Sequence, residues 1–311
     1  MTKQDLQNTY DRIKPFIHRT PVLSSAQLNE LIGAEIYFKC ENFQKMGAFK
    51  MRGAVNAILN LTPEQQQKGV VTHSSGNFAQ AVSLAAKNIG IPAYIVMPST
   101  APEVKKEAVK GYGGQITICE PTIEARQANA DRISEEKGAS FLHPSNDIEV
   151  ILGQGTAAIE LLEDYPDLAY IFVPIGGGGL IAGTALATHY FGNNCITIGG
   201  EPLEADDAYR SLQSGKIETN KTINTIADGL RTELGDNNFP VIQKYVDRII
   251  RVEETEIVAA MRLIWERMKI IVEPSSAVPF AALLREKESF AGKKIGVILS
   301  GGNVDLGNLP F

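Results

Sequence analysis

The sequence predicts an α/β protein whose mainly parallel sheets gather a composite anion site at their carboxyl edge. Three short turns carry that prediction, each placed after an apolar run. Ser74-Ser75-Gly76-Asn77 follows Gly69–His73, the glycines Gly176–Gly179 follow Ile171–Ile175, and Ser300-Gly301-Gly302-Asn303 follows Ile295–Leu299. The first two lead into helix-like sequence. Glycine lets a backbone approach a ligand closely, and the free N–H groups at a helix N-terminus bind phosphate. Three such turns in one chain point to a single site at the strand ends.

Between these turns, strand-like and helix-like runs alternate from about residue 35 onward. The pattern predicts strands at Ala93–Met97, Gln115–Cys119, Tyr170–Pro174, Ile196–Gly199, Arg248–Val252 and Lys294–Leu299. It predicts helices at Phe78–Asn88, Thr122–Lys137, Ile181–Tyr190 and Thr255–Met268. Such alternation means βαβ units. Thr62 before Pro63-Glu64 reads as an N-cap, Pro102-Glu103 as a helix start, and Gly111 as a C-cap. Trp265 and Met268 read as core. No repeat or low-complexity tether divides the chain, so a division into lobes must come from chain crossing, with residues 72–146 as a compact βαβαβ lobe.

Composition narrows the function. The chain has 311 residues, 44% of them hydrophobic, enough for one large or two smaller cores. A net charge of -6 with no Lys/Arg cluster argues against nucleic acid as a partner. No apolar stretch reaches the ~20 residues that span a bilayer. The polar start Met1–Asp5 lacks a signal-peptide core. Cys40, Cys119 and Cys195 are far apart, without metal spacing, and too few for a disulfide framework. A cytoplasmic, soluble protein is the expectation.

Lys50 is the first candidate for chemistry. It sits in Gly47-Ala48-Phe49-Lys50-Met51-Arg52-Gly53, among apolar neighbours and flanked by glycine. A lysine shielded from water loses its proton more readily and becomes an amine nucleophile. An amine beside a phosphate cradle suggests a Schiff base to pyridoxal phosphate. A Rossmann dinucleotide site fits poorly, because the glycine run lies mid-chain and lacks a well-spaced ribose-binding acid. A phosphate- or nucleotide-binding regulatory protein would use the same turns, and remains the non-enzymatic alternative.

The segment Glu41-Asn42-Phe43-Gln44-Lys45-Met46-Gly47-Ala48-Phe49-Lys50 resembles the cofactor-lysine motif of fold-type-II pyridoxal-phosphate enzymes. More narrowly it is similar to the serine/threonine dehydratase and serine racemase group, including 3-hydroxyaspartate dehydratases. The likeness runs from Thr20-Pro21-Val22-Leu23 to Ser300–Asp305. It implies a two-lobed, tryptophan-synthase-β-like fold, with residues 1–71 and 147–311 as the cofactor lobe and 72–146 as the substrate lobe. It also implies a homodimer. The implied reaction is dehydration and deamination of L-serine, L-threonine or 3-hydroxyaspartate to a 2-oxo acid and ammonia. Serine racemisation is the alternative, and both activities can share one site. The chain ends soon after Asn303, so no amino-acid-binding regulatory domain is expected.

Residue roles follow from the same resemblance. Lys50 would carry the cofactor with Phe49 beside it, and Gly176, Gly177, Gly178 and Gly179 would bind its phosphate. Asn77 would meet the ring hydroxyl and Ser300 the ring nitrogen. Ser74, Ser75, Gly76 and Asn77 would surround the substrate carboxylate, and Ser75 would be the acid/base opposite Lys50. The family usually has histidine where this chain has Phe78. Glu201, Ala205 and Asp207 match positions that hold Mg²⁺, Ca²⁺ or Mn²⁺ in relatives, although they also read as an acidic helix start. Tyr112 matches a position that stacks adenine in nucleotide-activated relatives, so a nucleotide effector is implied; an exposed turn tyrosine fits equally well. Arg126 and Arg231 are the arginines conceivable for a second substrate carboxylate. His18, His73, His143 and His189 show no ligand spacing.

Overall fold

A computed structural model describes all residues from Met1 to Phe311. The chain opens with α1 (Lys3–Ile13), β1 (Val22–Leu23), α2 (Ala26–Ile32), β2 (Glu35–Cys40), α3 (Lys50–Leu59) and α4 (Pro63–Lys68). It continues through β3 (Val70–His73), α5 (Asn77–Ile89), β4 (Ala93–Pro98), α6 (Glu103–Gly111), β5 (Gln115–Cys119), α7 (Ile123–Lys137) and β6 (Ser140–Phe141). Then come α8 (Ile148–Asp164), β7 (Tyr170–Pro174), α9 (Gly179–Phe191), β8 (Ile196–Pro202), α10 (Asp207–Ser214) and α11 (Phe239–Tyr245). The last elements are β9 (Val246–Val252), α12 (Glu254–Met268), α13 (Pro274–Arg285) and β10 (Lys294–Leu299).

Two sheets result. The larger has the order β1-β2-β10-β7-β8-β9 and is parallel except for β1, which pairs antiparallel with β2. The smaller, β5-β4-β3-β6, is parallel throughout. The central strands of the larger sheet are apolar runs buried on both faces, as crossover helices demand. One face packs against α12 and α13, where Phe38 meets Phe280 edge-on at 5.4 Å between ring centroids. The other packs against α8 and α9. Burying each of these aliphatic or aromatic side chains contributes about 1.5–3 kcal/mol.

Helix α3 meets α8 closely enough that side chains are excluded at the crossing. A Cβ on Gly153 would stand 2.6 Å from the Gly53 Cα, and one on Gly53 would stand 2.5 Å from Gln154 Nε2. The crossing is also pinned by buried charge. Arg52 grips Glu41 through Nε and NH2 at 2.7 and 2.8 Å, and Glu160 through NH1 and NH2 at 2.9 and 2.8 Å. Lys39 Nζ donates to the same Glu160 at 2.6 Å and to the Thr20 carbonyl at 2.7 Å. The four charged side chains are shut off from solvent and their formal charges cancel. Opposite charges in this arrangement offset much of the penalty for desolvating them, and removing one leaves the others uncompensated. The network joins β2, α3 and α8, and it lies two residues past Lys50.

The expected strands and helices are all present, with two local differences. Gly111 is the last residue of α6 rather than its cap, and Tyr112 takes the C-cap position. Trp265 and Met268 are half-buried against the core rather than inside it, and the Trp265 indole donates to the Val272 carbonyl at 3.0 Å. Thr62 does cap α4, in a capping box with Gln65. No helix is long and apolar enough to cross a membrane.

Candidate active site

The carboxyl ends of adjacent strands bring the predicted residues together. In the larger sheet, β10 lies between β2 and β7. Ser300 follows β10, the glycine loop follows β7, and the chain leaving β2 reaches Lys50 at the first turn of α3. In the smaller sheet, β3 ends at Ser74–Asn77 and its neighbour β6 leads into His143–Asn146. The two edges meet through hydrogen bonds. Lys50 Nζ donates to the Pro144 carbonyl at 2.7 Å, Asn77 Nδ2 donates to Glu273 at 2.9 and 3.2 Å, and Asn303 Nδ2 donates to Asn77 Oδ1 at 2.9 Å.

Lys50 is held in apolar surroundings. Its Nζ lies 5.1 Å from the Phe49 ring centroid and 5.6 Å from that of Phe78. Burial pushes its pKa down to about 8, and the Glu273 carboxylate partly opposes the fall. The amine therefore gives up its proton more readily than an exposed lysine does. The Phe78 ring, like that of Phe49, thus helps to shield the amine from water. The approach to Lys50 is stitched to the third turn: Phe49 N donates to the Ser300 carbonyl at 2.9 Å, and Gly302 N donates to Gly47 at 2.9 Å.

The glycine loop has the free donors that a phosphate needs. Gly178 has φ +80°, which turns the chain into α9. None of the amide N–H groups from Gly176 to Ile181 donates to a protein acceptor; Ala182 is the first that does, to Gly178. All six residues are buried. Buried N–H groups without partners are rare, and a run of them at a helix N-terminus suits an oxyanion. No larger residue fits the loop. A Cβ on Gly177 would stand 2.4 Å from Ser145 Oγ, one on Gly178 2.6 Å from Asn238 Oδ1, and one on Gly176 2.8 Å from the Leu230 Cα. The residues present thus fit the phosphate of a pyridoxal cofactor.

The other expected residues are placed as follows. Ser300 is buried, with its Oγ 3.0 Å from Ser276 Oγ. Ser74 Oγ accepts the Gly76 N–H at 3.3 Å, while the Ser75 hydroxyl has no protein partner; all three residues are partly exposed at the start of α5. Asn77 spends its amide on Glu273 and Asn303. Tyr112 is half-buried against the core of the smaller sheet. Arg231 is committed to the Thr225 carbonyl through Nε and NH2. Arg126 has a buried Nε with no partner, and it is near enough to help lower the pKa of His73, where burial is the larger cause.

Glu201 and Asp207 form a separate buried pair. The Glu201 oxygens accept the N–H groups of Ala208 and Tyr209 at 2.9 and 2.8 Å. Asp207 accepts from Asn220 at 2.9 Å and from Leu234 N at 3.1 Å. Burial raises both pKa values, that of Asp207 to about 7, and each carboxylate lacks a basic partner. Ala205 is buried beside them. No three His, Cys, Asp or Glu side chains converge anywhere in the chain, so this is not a metal centre built from side chains alone.

Sequence reasoning missed Glu273, Ser276, Asn238 and the Pro144 carbonyl. Glu273 is buried, and its pKa is pushed up to about 7 by that burial and by Asp228. Its position before Pro274 at the start of α13 was the available signal. A backbone carbonyl such as that of Pro144 leaves no mark in residue identity.

Comparison with known proteins agrees with this geometry. The family described as pyridoxal-phosphate dependent enzyme matches residues 13–301. The chain is 49% identical to a serine racemase of Dictyostelium discoideum, over 99% of this chain and 97% of that one. It is also 49% identical to a beta-hydroxyaspartate dehydratase of Paracoccus denitrificans, over 100% and 98%. The crystal structure of the Dictyostelium serine racemase superposes with a TM-score of 0.94 at 50% identity, covering 98% of this chain and 99% of that chain. The two sheets, the free donors of the glycine loop and the shielded lysine are accounted for together: this chain belongs to the family of pyridoxal-phosphate dependent enzymes.

Proposed function

We propose that the chain is a pyridoxal-phosphate-dependent ammonia-lyase that dehydrates and deaminates a small β-hydroxy amino acid, with racemisation as a second outcome at the same site. The observation that carries this reading is the Lys50 amine, shielded by Phe49 and Phe78 and tied through Pro144 and Ser145 to a glycine loop with free N–H donors. The named relatives include both a dehydratase and a racemase.

When bound, pyridoxal phosphate supplies an electron sink for the pair left by the breaking Cα–H bond. Lys50 would hold the cofactor, and its Nζ, when neutral, would take the α-proton. Gly176–Gly179 hold the phosphate and Phe49 lies beside the amine. Ser300, buried with its Oγ 3.0 Å from Ser276 Oγ, would offer the ring nitrogen a neutral hydroxyl rather than a carboxylate. Ser74, Ser75, Gly76 and Asn77 orient the substrate carboxylate from the smaller sheet. Residues 72–146 thus act as the substrate lobe, and residues 1–71 and 147–311 as the cofactor lobe. Of the two candidate arginines, Arg126 has an unpartnered buried Nε while Arg231 is bonded to the Thr225 carbonyl, which favours Arg126 as the partner of a second carboxylate when 3-hydroxyaspartate is the substrate.

A divalent cation on Glu201, Asp207 and the Ala205 carbonyl completes the reading. Each carboxylate oxygen keeps a lone pair beyond its N–H bond, and an oxygen donor set suits Mg²⁺, Ca²⁺ or Mn²⁺. Two buried carboxylates without a basic partner also favour an added positive charge.

Lys50→Ala is expected to remove the absorbance of the lysine-bound cofactor at the blue edge of the visible and to lower kcat by several orders of magnitude. Spectroscopy and a 2-oxo acid assay check this, and normal turnover without added amine would overturn the reading. Ser75→Ala separates the two outcomes: D-serine formation falls far more than elimination from L-serine, and elimination from D-serine falls too. Equal loss of all three, measured side by side, would leave Ser75 only the task of positioning the carboxylate. Chelator is expected to lower the wild-type Tm and leave a Glu201→Ala/Asp207→Ala variant unchanged. A cation present at 100 times its Kd stabilises the fold by about 2.7 kcal/mol. An unshifted wild-type Tm, with no metal by elemental analysis, would reduce the pair to an acidic helix start.

A further inference from the structure

The turn that carries Pro144 is built on a side chain with no role in the account so far. His143 follows β6 and lies partly buried, with its ring centroid 6.2 Å from that of His73. Its Nδ1 accepts the backbone N–H groups of Ser145 and Asn146 at 3.2 and 2.9 Å. Two donors aimed at one ring nitrogen require it to be unprotonated, so the ring proton resides on Nε2. Burial, followed by the positive fields of His73 and Lys50, pushes the His143 pKa down to about 4, against the pull of Asp236. The ring therefore stays neutral and Nδ1 stays an acceptor at neutral pH.

Those two hydrogen bonds close a tight turn that faces both halves of the site. On one side Pro144 presents its carbonyl to Lys50 Nζ at 2.7 Å. On the other, Ser145 lies against the glycine loop, where a Cβ on Gly179 would stand 2.8 Å from the Ser145 carbonyl oxygen. Asn238 Nδ2 bridges the same carbonyl at 3.2 Å and that of Gly177 at 2.8 Å. Upstream the turn is laddered to the smaller sheet, with Leu142 N donating to Val71 at 2.9 Å and Thr72 Oγ1 donating to the Leu142 carbonyl at 2.8 Å. The turn thus links the strand that ends at Ser74 to the amine and to the phosphate donors.

We propose that His143 is a positioning residue for Lys50: as a neutral acceptor it folds residues 143–146 so that the Pro144 carbonyl holds the Lys50 amine in register with the glycine loop. This rests on Lys50 being the cofactor lysine. An aliphatic side chain at 143 leaves two N–H groups without an acceptor, and the turn opens to hydrate them. Asparagine keeps the function, because its Oδ1 occupies nearly the place of a histidine Nδ1 and accepts N–H groups two and three residues ahead.

The test compares wild type, His143→Leu and His143→Asn, each stripped of cofactor and titrated with pyridoxal phosphate by absorbance. Thermal melts check the fold, and borohydride reduction with peptide mapping identifies the modified lysine. His143→Leu is expected to bind the cofactor about tenfold more weakly, whereas His143→Asn stays within about threefold of wild type. Wild-type affinity in His143→Leu, or equal weakness in both folded variants, overturns the proposal. If His143→Leu does not fold, ¹⁵N-histidine NMR of the wild type decides: a proton on Nε2 supports the proposal and a proton on Nδ1 overturns it. Mapping of the cofactor to another lysine overturns the reading of Lys50 itself, and the inference falls with it.

Discussion

Arg52 holds two carboxylates from distant parts of the chain, and that grip anchors the first turn of the helix on which Lys50 stands. The guanidinium is planar and fully charged, and its donors match Glu41 on one side and Glu160 on the other. Lysine at the same place would be a point charge and would satisfy one carboxylate poorly. Because Arg52 stands one residue beyond Met51 in the first turn of α3, fixing it fixes the direction in which Lys50 leaves the helix. Lys39 completes the charge balance from β2, so the sheet, the lysine helix and α8 are joined by one buried neutral group.

This rigidity lets the surroundings of Lys50 be poor in water without collapsing. The amine has one strong acceptor, a carbonyl rather than a carboxylate, and two aromatic rings nearby. A carboxylate in direct contact would have held it fully charged. Glu273 is close enough to be felt but is occupied by Asn77, and its own pKa is raised. The result is an amine that loses its proton readily, beside backbone donors that stabilise an anion with no charged side chain in the loop.

Much of this was legible in the sequence because it is local. The three turns and the Gly47–Gly53 segment stand out through residues adjacent in the chain, and the fold brings them together. Seven of the ten strands, β3–β5 and β7–β10, showed as apolar runs, whereas β2 and the two-residue β1 and β6 did not. What could not be read is long-range. Glu160 lies in an apolar helix 108 residues from Arg52, and nothing near it marks a partner. Glu273 reaches Asn77 across 196 residues, and Pro144 acts through its carbonyl. His143 was dismissed for want of ligand spacing, yet its work is to accept backbone N–H groups two and three residues on. Gly111 looked like a cap because glycine favours caps, but the helix continued through it to Tyr112.

The chemistry proposed for the site depends on a lowered proton affinity of Lys50 before any cofactor arrives. Competitive labelling of the cofactor-free protein with an amine-reactive reagent across pH, read by mass spectrometry of the Lys50 peptide, measures it directly. A midpoint near 8 is predicted from the burial of the amine. A midpoint near the ordinary lysine value of 10.5 would contradict it, because the amine would then be fully hydrated and the enclosure built by Arg52, Phe49, Phe78 and Pro144 would have no chemical consequence.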